Sequence, residues 1–179
     1  YTSGEEDAIL TDSHWQADAS GPYRMADLAM GVWYDSTIAP KNPVNAYLPS
    51  IPKTLLTWPA VQPIVFRETL SAQNLWTAPN GDKLVDFGQN IAGVVRFTVR
   101  GERGREVAYD CAEVHDAQGN FYRENYRSAR AEVRYVLSGG GAETFTPDFT
   151  YMGFRYIRLK NWPEGAKCED FTALVLRTD

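Results

Sequence analysis

The stretch from Val85 to Arg100 constrains the fold more than any other part of the sequence. Alternate positions from Val95 to Val99 are apolar, and the positions between them are polar. This period of two is typical of a half-buried β-strand. The first half of the stretch is a polar corner at residues 86–90, where Gly88 can adopt backbone angles that other residues avoid. Two strands joined through an amide-rich corner favour a β-sandwich, in which the corner serves structure or binding.

Further alternating segments, separated by turn sequences, predict that the whole chain is all-β. Aromatic residues make up 13% of the sequence, which favours sheet over helix, and no segment sustains a helical period. We predict a two-layer antiparallel β-sandwich in which Gly101–Gly104 closes a hairpin. The alternating segments are Ile64 to Leu70, Glu106 to Val114, Arg130 to Leu137, Phe154 to Leu159 and Phe171 to Leu176.

The first 60 residues have a different character from the rest. Short strands are predicted at 8–11 and 31–35, too few to close a core of their own. Six prolines then occur between Pro40 and Pro63, and each fixes the backbone and removes a hydrogen-bond donor. We predict the tail of a preceding β-sandwich at 1–36, a proline-rich linker or extended N-terminal arm at 37–60, and the main sandwich at 61–179.

Charge and composition argue against several classes of function. A net charge of −5 disfavours general binding to nucleic acid or to an anionic membrane. No apolar run reaches the roughly 20 residues of a membrane-spanning helix. Cys111 and Cys168 are too few for a disulfide framework, and we predict buried free thiols. Two histidines, without a Cys-x-x-Cys or EF-hand pattern, predict no metal cofactor, although a calcium ion bound by loop oxygens would leave little trace in a sequence.

Five short segments occur in an order that matches a known family. Together they resemble the concanavalin-like (jelly-roll) β-sandwich domain of bacterial α-L-rhamnosidases of glycoside hydrolase family 78, over about residues 61–163. The region from Ile9 to Asp35 resembles the end of the N-terminal β-sandwich that precedes this domain in the family. The five segments are Asp86–Gly93, Ala112–Val114, Asp116–Tyr122, Glu124–Ala129 and Phe149–Tyr156.

The sequence departs from the family pattern at three places. Met152 stands where the family usually has His, and His115 stands where it usually has Leu. Val32-Trp33 follows Gly31, where the family usually has a Gly-Glu pair. If any of these polar family positions bound sugar or took part in chemistry, this copy has lost that group or moved it.

The resemblance implies an accessory role for this chain. The parent enzymes hydrolyse terminal α-L-rhamnosyl residues of glycosides or polysaccharides with inversion, which requires two carboxyl groups roughly 6.5–9.5 Å apart. In the family these carboxyl groups lie in a separate helical (α/α)6 barrel that follows the sandwich. We therefore assign no catalytic residue here and expect a non-catalytic domain. Its expected partners are that barrel and the N-terminal domain of the parent enzyme.

The alternative function is a carbohydrate-binding, lectin-like module for rhamnose-containing glycans. Sugar sites combine an aromatic platform with a few polar groups that bind hydroxyls. Each candidate also has a structural interpretation, since tryptophans pack in sandwich cores and amides satisfy backbone groups at corners. The predicted carbohydrate-binding residues are Trp76, Trp162, Gln89, Asn90 and Asn125.

A third alternative is catalysis by this chain itself. Glu113, His115, Asp116 and Glu124 form the densest group of titratable residues, and the His115 imidazole can titrate near neutral pH. A solvated strand end explains the same pattern without any chemistry. Separately, Arg127 and Arg155 are expected to pair with Glu113, Glu124 or Asp86.

Overall fold

The computed structural model describes residues 3–4, 8–52, 54 and 57–178. Parts of the predicted segments 1–36 and 37–60, and the final residue of the segment 61–179, therefore lie outside the described residues. The described residues form fourteen strands, with 3₁₀ turns at Glu124–Tyr126 and Cys168–Asp170. The strands are β1 Gln16–Ala17, β2 Tyr23–Asp27, β3 Gly31–Asp35, β4 Val44–Asn45, β5 Ile64–Ser71, β6 Asn74–Thr77, β7 Lys83–Arg100, β8 Glu106–Ala112, β9 Val114–His115, β10 Phe121–Tyr122, β11 Glu132–Val136, β12 Ala142–Phe145, β13 Met152–Lys160 and β14 Phe171–Thr178.

Ten of these strands form one curled sheet that folds into two facing layers. The first layer has the order β2-β3-β11-β8-β13-β7-β6, and the second has the order β5-β14-β7-β12. Strand β7 belongs to both layers, because residues 83–86 pair with β6, whereas residues 93–100 pair with β14 and β12. Among the described residues every strand pair is antiparallel except β3 with β11. The prediction of an all-β, two-layer sandwich is confirmed, with one parallel pair added.

The polar corner lies within β7 and does not separate two strands, so that part of the prediction was wrong. Strand β13 pairs with Ile91–Gly93 through residues 152–154 and with residues 83–86 through residues 156–159. Four residues of β7, at 87–90, therefore lie opposite the single residue Arg155. Gly88 adopts a φ of +85°, as a bend of this kind requires. The irregularity allows one long strand to pass from one layer to the other.

The core fills the space between the two layers. Phe97 of β7 contacts Tyr109 of β8 and Tyr135 of β11 edge-on, with ring centroids 6.1 and 5.7 Å apart. Both contacts join the second layer to the first, as the layered arrangement requires. Cys111 is buried in this core and Cys168 is half-buried. Both are free thiols, as predicted, although only the first is fully buried.

Two further local predictions are wrong. Gly101–Gly104 does not close a hairpin, because β8 pairs with β11 and β13 and not with β7. This turn instead connects the two layers. Residues 8–11 form no strand, and Ile9 and Leu10 have 82% and 76% of their surface exposed.

Residues 23–35 join the edge of the first layer. Strand β3 runs parallel to β11, with Gly31 beside Glu132 and Asp35 beside Val136. Val32 is fully buried. Between β4 and β5 the described residues contain no strand, whereas β4 itself lies within the predicted arm at 37–60 and pairs with β1. The domain boundaries at 36 and 60 remain predictions. Among the described residues, no helix is long and apolar enough to cross a membrane.

Candidate functional site

The segments that carry the family resemblance converge on the middle of β13. Met152–Phe154 lie beside Ile91–Gly93, and Tyr156 lies opposite both Asp86 and Ala112. Residues 113–131, which we call the covering segment, fold back over the middle of β13. We call the resulting surface the motif face, formed by Trp76, Asp86, Asn90, Glu113, His115, Asn125, Tyr126, Arg155 and Tyr156.

An ion pair between Asp86 and Arg155 lies at the centre of the motif face. Arg155 donates through Nε to Oδ1 at 2.8 Å and through Nη2 to Oδ2 at 2.9 Å, and the Gly88 N–H donates to Oδ1 at 2.7 Å. Burial raises the pKa of Asp86, but the hydrogen bonds from Arg155 and Gly88 outweigh it, so the pKa lies below its usual value. Arg155 is expected to pair with Glu113, Glu124 or Asp86, and the structure shows that its partner is Asp86.

Aromatic rings surround this ion pair. The Arg155 guanidinium lies over the Tyr156 ring, 5.0 Å from its centroid. Trp76 contacts the same ring edge-on at 6.2 Å, and the His115 ring lies 5.5 Å from it. These residues line a cavity of about 370 Å³, which we call the Arg155 cleft; its lining is Asn74, Leu75, Trp76, Asp86, His115, Arg155 and Tyr156.

Glu113 anchors the other part of the motif face. Asn90 donates to its Oε1 at 3.2 Å, and Asn125 donates to its Oε2 at 3.0 Å. Gly153 makes room for this carboxylate, since a Cβ at that position would lie 3.3 Å from Oε1. The structure thus brings two of the predicted carbohydrate-binding residues onto one carboxylate.

A second cavity of about 310 Å³ adjoins Glu113. Tyr126 donates from its hydroxyl to the Gly153 carbonyl, and burial raises the pKa of this hydroxyl, so it remains a donor. Arg127 also lines the cavity, with a φ of +55°. In the described part of the chain Arg127 forms no salt bridge, so the predicted pairing of this residue was wrong.

A buried carboxylate holds the covering segment in place. Asp110 of β8 is fully buried and lies 2.5 Å from Nη2 of Arg158, 2.7 Å from Nζ of Lys160 and 3.3 Å from Nη1 of Arg123. Arg123 belongs to the covering segment, whereas the other two cations belong to β13. Phe121 of the same segment packs against Arg158, with the guanidinium 4.8 Å from its ring centroid. The segment is therefore attached through both charge and ring contacts.

The remaining two predicted carbohydrate-binding residues lie elsewhere. Trp162 packs against Phe97 and Phe171, at centroid distances of 5.1 and 5.2 Å, and lines a different cavity of about 280 Å³. Gln89 is exposed at the corner. Trp76, Asn90 and Asn125 share the motif face, and carbohydrate binding by any of the five stays a prediction.

The titratable cluster proposed from the sequence does not form one centre. Asp116 accepts hydrogen bonds from the N–H groups of Gln118 and Asn120 at 2.9 and 2.7 Å. Hydrogen bonding from Asn120 lowers the pKa of Asp116, which serves to close its own loop. Among the described residues, no group of three or more His, Cys, Asp or Glu side chains is arranged to hold a metal ion. A loop-bound calcium ion remains a prediction.

Comparison with known proteins decides the family. Residues 76–177 match the family model of the bacterial alpha-L-rhamnosidase concanavalin-like domain. The chain belongs to this family. The resemblance of the five sequence segments is thereby confirmed, and all five lie within the matched residues.

The relatives that the chain matches are much longer than the chain itself. An α-L-rhamnosidase of Streptomyces avermitilis is 32% identical over 99% of the chain, and one of Formosa agariphila is 27% identical over 90%. The crystal structure of native α-L-rhamnosidase from Aspergillus terreus superposes with a TM-score of 0.86, at 28% identity and 99% coverage of the chain. The Streptomyces avermitilis enzyme, solved with L-rhamnose, gives a TM-score of 0.78 at 29% identity and 100% coverage.

The chain spans only 18–22% of the length of these relatives. It corresponds to the concanavalin-like accessory domain of larger enzymes that contain further parts. None of the segments that carry the resemblance supplies a pair of free carboxyl groups on the motif face, since Asp86 is paired and Glu113 is held by amides.

Proposed function

We propose that this chain is a non-catalytic accessory domain that supports the architecture of an α-L-rhamnosidase. The parent enzyme hydrolyses terminal α-L-rhamnosyl residues by inversion. The partners of the domain are the helical catalytic barrel and the N-terminal domain of the same enzyme. The role of this chain is to provide the surface on which those parts are held.

The observation that supports this proposal is the exposed apolar surface of the arm and of the adjoining residues 61–66. Tyr47, Trp58 and Val61 have 85%, 94% and 76% of their surface exposed. Among the described residues from 44 to 66, eight large apolar side chains are at least 55% exposed. Exposed apolar surface of this extent is typical of contact with other chains or domains. Because the relatives are about five times longer, other parts of a parent enzyme are available to cover it. The large exposed apolar residues of this region are Val44, Tyr47, Leu48, Ile51, Trp58, Val61, Ile64 and Phe66.

Substitutions in the arm test the proposal within the parent enzyme. Tyr47→Ser with Trp58→Ser is expected to lower the melting temperature of the parent by several degrees but to leave that of the isolated chain unchanged. The reason is that these side chains lose contacts only when they are covered. Lys41→Ser, a polar exposed position of the same arm, is the matched control.

The activity of the isolated chain provides the second part of this test. We expect no release of the aryl group from an aryl α-L-rhamnoside by this chain. Turnover that survives purification would overturn the accessory role, as would a parent enzyme that tolerates the double substitution as well as Lys41→Ser.

Carbohydrate binding is the second candidate function, with rhamnose-containing glycans as ligands. It is favoured by the motif face, which brings together Trp76, Asn90 and Asn125, three of the predicted carbohydrate-binding residues. Calorimetric titration of the chain with L-rhamnose tests this function. Titrations with and without calcium test the loop-bound ion at the same time.

A further inference from the structure

The Arg155 cleft has the size and the chemical composition of a small-ligand site. Its volume of about 370 Å³ falls within the range of pockets that hold small molecules. One part of its lining is aromatic, from Trp76 and Tyr156. The other part is polar, from Asn74, His115 and the Asp86–Arg155 pair.

The guanidinium of Arg155 is fixed before any ligand arrives. Asp86 binds Nε and Nη2, and the ring of Tyr156 supports the group from one side. Among the described residues Nη1 has no hydrogen-bond partner, although Arg155 lines the cleft. A donor held in place in this way loses little side-chain entropy when a ligand binds.

Charge decides which ligand this cleft fits. The carboxylate of Asp86 cancels the charge of Arg155, and the Asp86 side chain is only 11% exposed, so the pair presents no net charge. The carboxylate of Glu113 lies on the same face, and the chain carries a net charge of −5. An anionic ligand therefore gains little attraction here, whereas a neutral ligand with several hydroxyl groups finds both donors and acceptors.

Trp76 supplies the apolar surface that a sugar ring requires. It is partly buried, and its ring is held at 83° to that of Tyr156. Indole rings offer a large rigid apolar surface at low entropic cost, which suits the C–H face of a pyranose. Leu75 adds a further apolar side chain to the lining.

We propose that the Arg155 cleft binds a neutral saccharide. The pyranose ring packs on Trp76, and its hydroxyl groups bond to Arg155, Asn74 and His115. This inference rests on the carbohydrate-binding candidate above and gives it a location and a ligand class. The predicted residues at Glu113, by contrast, hold the covering segment in place and are not the primary contacts.

Titration of the full 179-residue chain tests the cleft. Methyl α-L-rhamnoside is added while the indole N–H signals are followed by NMR, and one indole signal is expected to shift saturably. That signal should be absent in Trp76→Phe, which keeps an aromatic ring on β6. Trp76→Ala is expected to weaken binding at least tenfold, and Arg155→Lys at least fivefold, because lysine lacks the planar fork. Trp58→Ala, on the exposed arm, should bind the sugar as tightly as the unsubstituted chain.

Three outcomes would overturn the inference. The first is that neither the unsubstituted chain nor any variant shows saturable binding. The second is that Asn125→Ala loses binding while Trp76→Ala and Arg155→Lys bind as tightly as the unsubstituted chain, which would place the sugar at Glu113. The third is tighter binding of D-glucuronate than of D-glucose, which would show an anion site. Circular dichroism of each variant checks the fold, and none of these results bears on whether the chain is an accessory domain.

Discussion

Asp110 shows how a single buried charge holds the motif face together. Its carboxylate is fully buried, yet the three cations around it keep part of their surface in water, at 26–35% exposure. A buried ion is costly unless it is paired and hydrogen-bonded. Arg123 connects this ion pair to the covering segment. Its guanidinium also donates to the carbonyl of Ala129 at 3.0 Å and thereby fixes the end of that segment.

Replacement of this carboxylate should be strongly destabilising. Asp110→Asn is expected to lower the free energy of unfolding by about 3–5 kcal/mol, because three cations lose their shared partner. Urea denaturation measures the loss. Glu106→Gln is the matched control, since the Glu106–Arg134 pair also joins neighbouring strands but is about one-third exposed, and about 0–1 kcal/mol is expected. Equal losses in the two variants would contradict the argument.

Some residue contacts of the motif face follow from the sequence and others do not. An ion pair of Arg155 with one of three acidic residues is predicted, but the choice of Asp86 over Glu113 and Glu124 comes from the structure. The contact between Arg155 and Tyr156 is not predicted, because neighbours on a regular strand point to opposite faces. The register shift of β13 between Phe154 and Tyr156 changes this geometry. Nothing local in the sequence signals such a shift.

The convergence of Asn90 and Asn125 on Glu113 is likewise invisible in the sequence. The two amides lie 23 and 12 residues from the carboxylate. Their meeting depends on the path of the covering segment, whose ambiguous pattern predicts neither strand nor helix. The 3₁₀ turn at Glu124–Tyr126 that presents Asn125 has no buried residue to reveal it.

At the scale of elements, the attachment of β3 depends on one glycine. Gly31 has a φ of +104°, and a Cβ there would lie 1.9 Å from the carbonyl oxygen of Glu132. No rotation of a side chain relieves a clash with backbone. Strand β3 can approach β11 only because this position lacks a side chain.

Gly31→Ala should therefore release β2 and β3 from the sheet. We expect a loss of at least about 2 kcal/mol in the free energy of unfolding, from overpacking and backbone strain together. Hydrogen exchange should show faster exchange of the β3 amides in particular. Gly140→Ala is the control, because the nearest atom to its Cβ would be Oγ of Ser138 at 3.8 Å. Unchanged protection of β3 in Gly31→Ala would refute this account.

Element predictions succeed where alternation is long and fail where it is short. Strands β5, β8, β11, β13 and β14 all coincide with alternating segments. Strands β6 and β12 have four residues each, too few to display a period, and were not predicted. Gly101–Gly104 has the composition of a hairpin turn, but the same residues suit a connection between layers. Turn chemistry shows that the chain reverses and leaves its next partner undetermined.

At the scale of the whole molecule, one strand shared between two layers makes the sandwich a single cooperative unit. Strand β7 contacts strands of both layers, so loss of either layer exposes the core residues of the other. Local stabilising contacts therefore add to one global stability. Carboxylates with altered pKa values contribute to that sum wherever they lie.

The stability of the domain is expected to fall as the pH is lowered through the acid range. Among the described residues, five carboxyl groups have pKa values below their usual values in the folded chain, so their ionisation favours folding. This stabilisation is complete above the unfolded pKa, about 3.9 for Asp and 4.3 for Glu, and is lost as the pH falls through the folded value. The five groups are Asp18, Asp27, Asp86, Asp116 and Glu143.

Asp86 and Glu143 are the two of these groups at which burial is the largest single influence on the pKa, and a double variant isolates their share. Burial raises the pKa of Glu143, but hydrogen bonds from the N–H groups of Ser138 and Gly139, at 2.8 and 2.9 Å, outweigh it. Asp86→Asn with Glu143→Gln should lower stability at neutral pH and flatten the fall between about pH 5 and pH 3, measured by urea denaturation across that range. Glu164→Gln, on an exposed turn, should leave the pH profile unchanged. If the stability of the double variant falls with pH as steeply as that of the unsubstituted chain, the acid sensitivity lies in other groups.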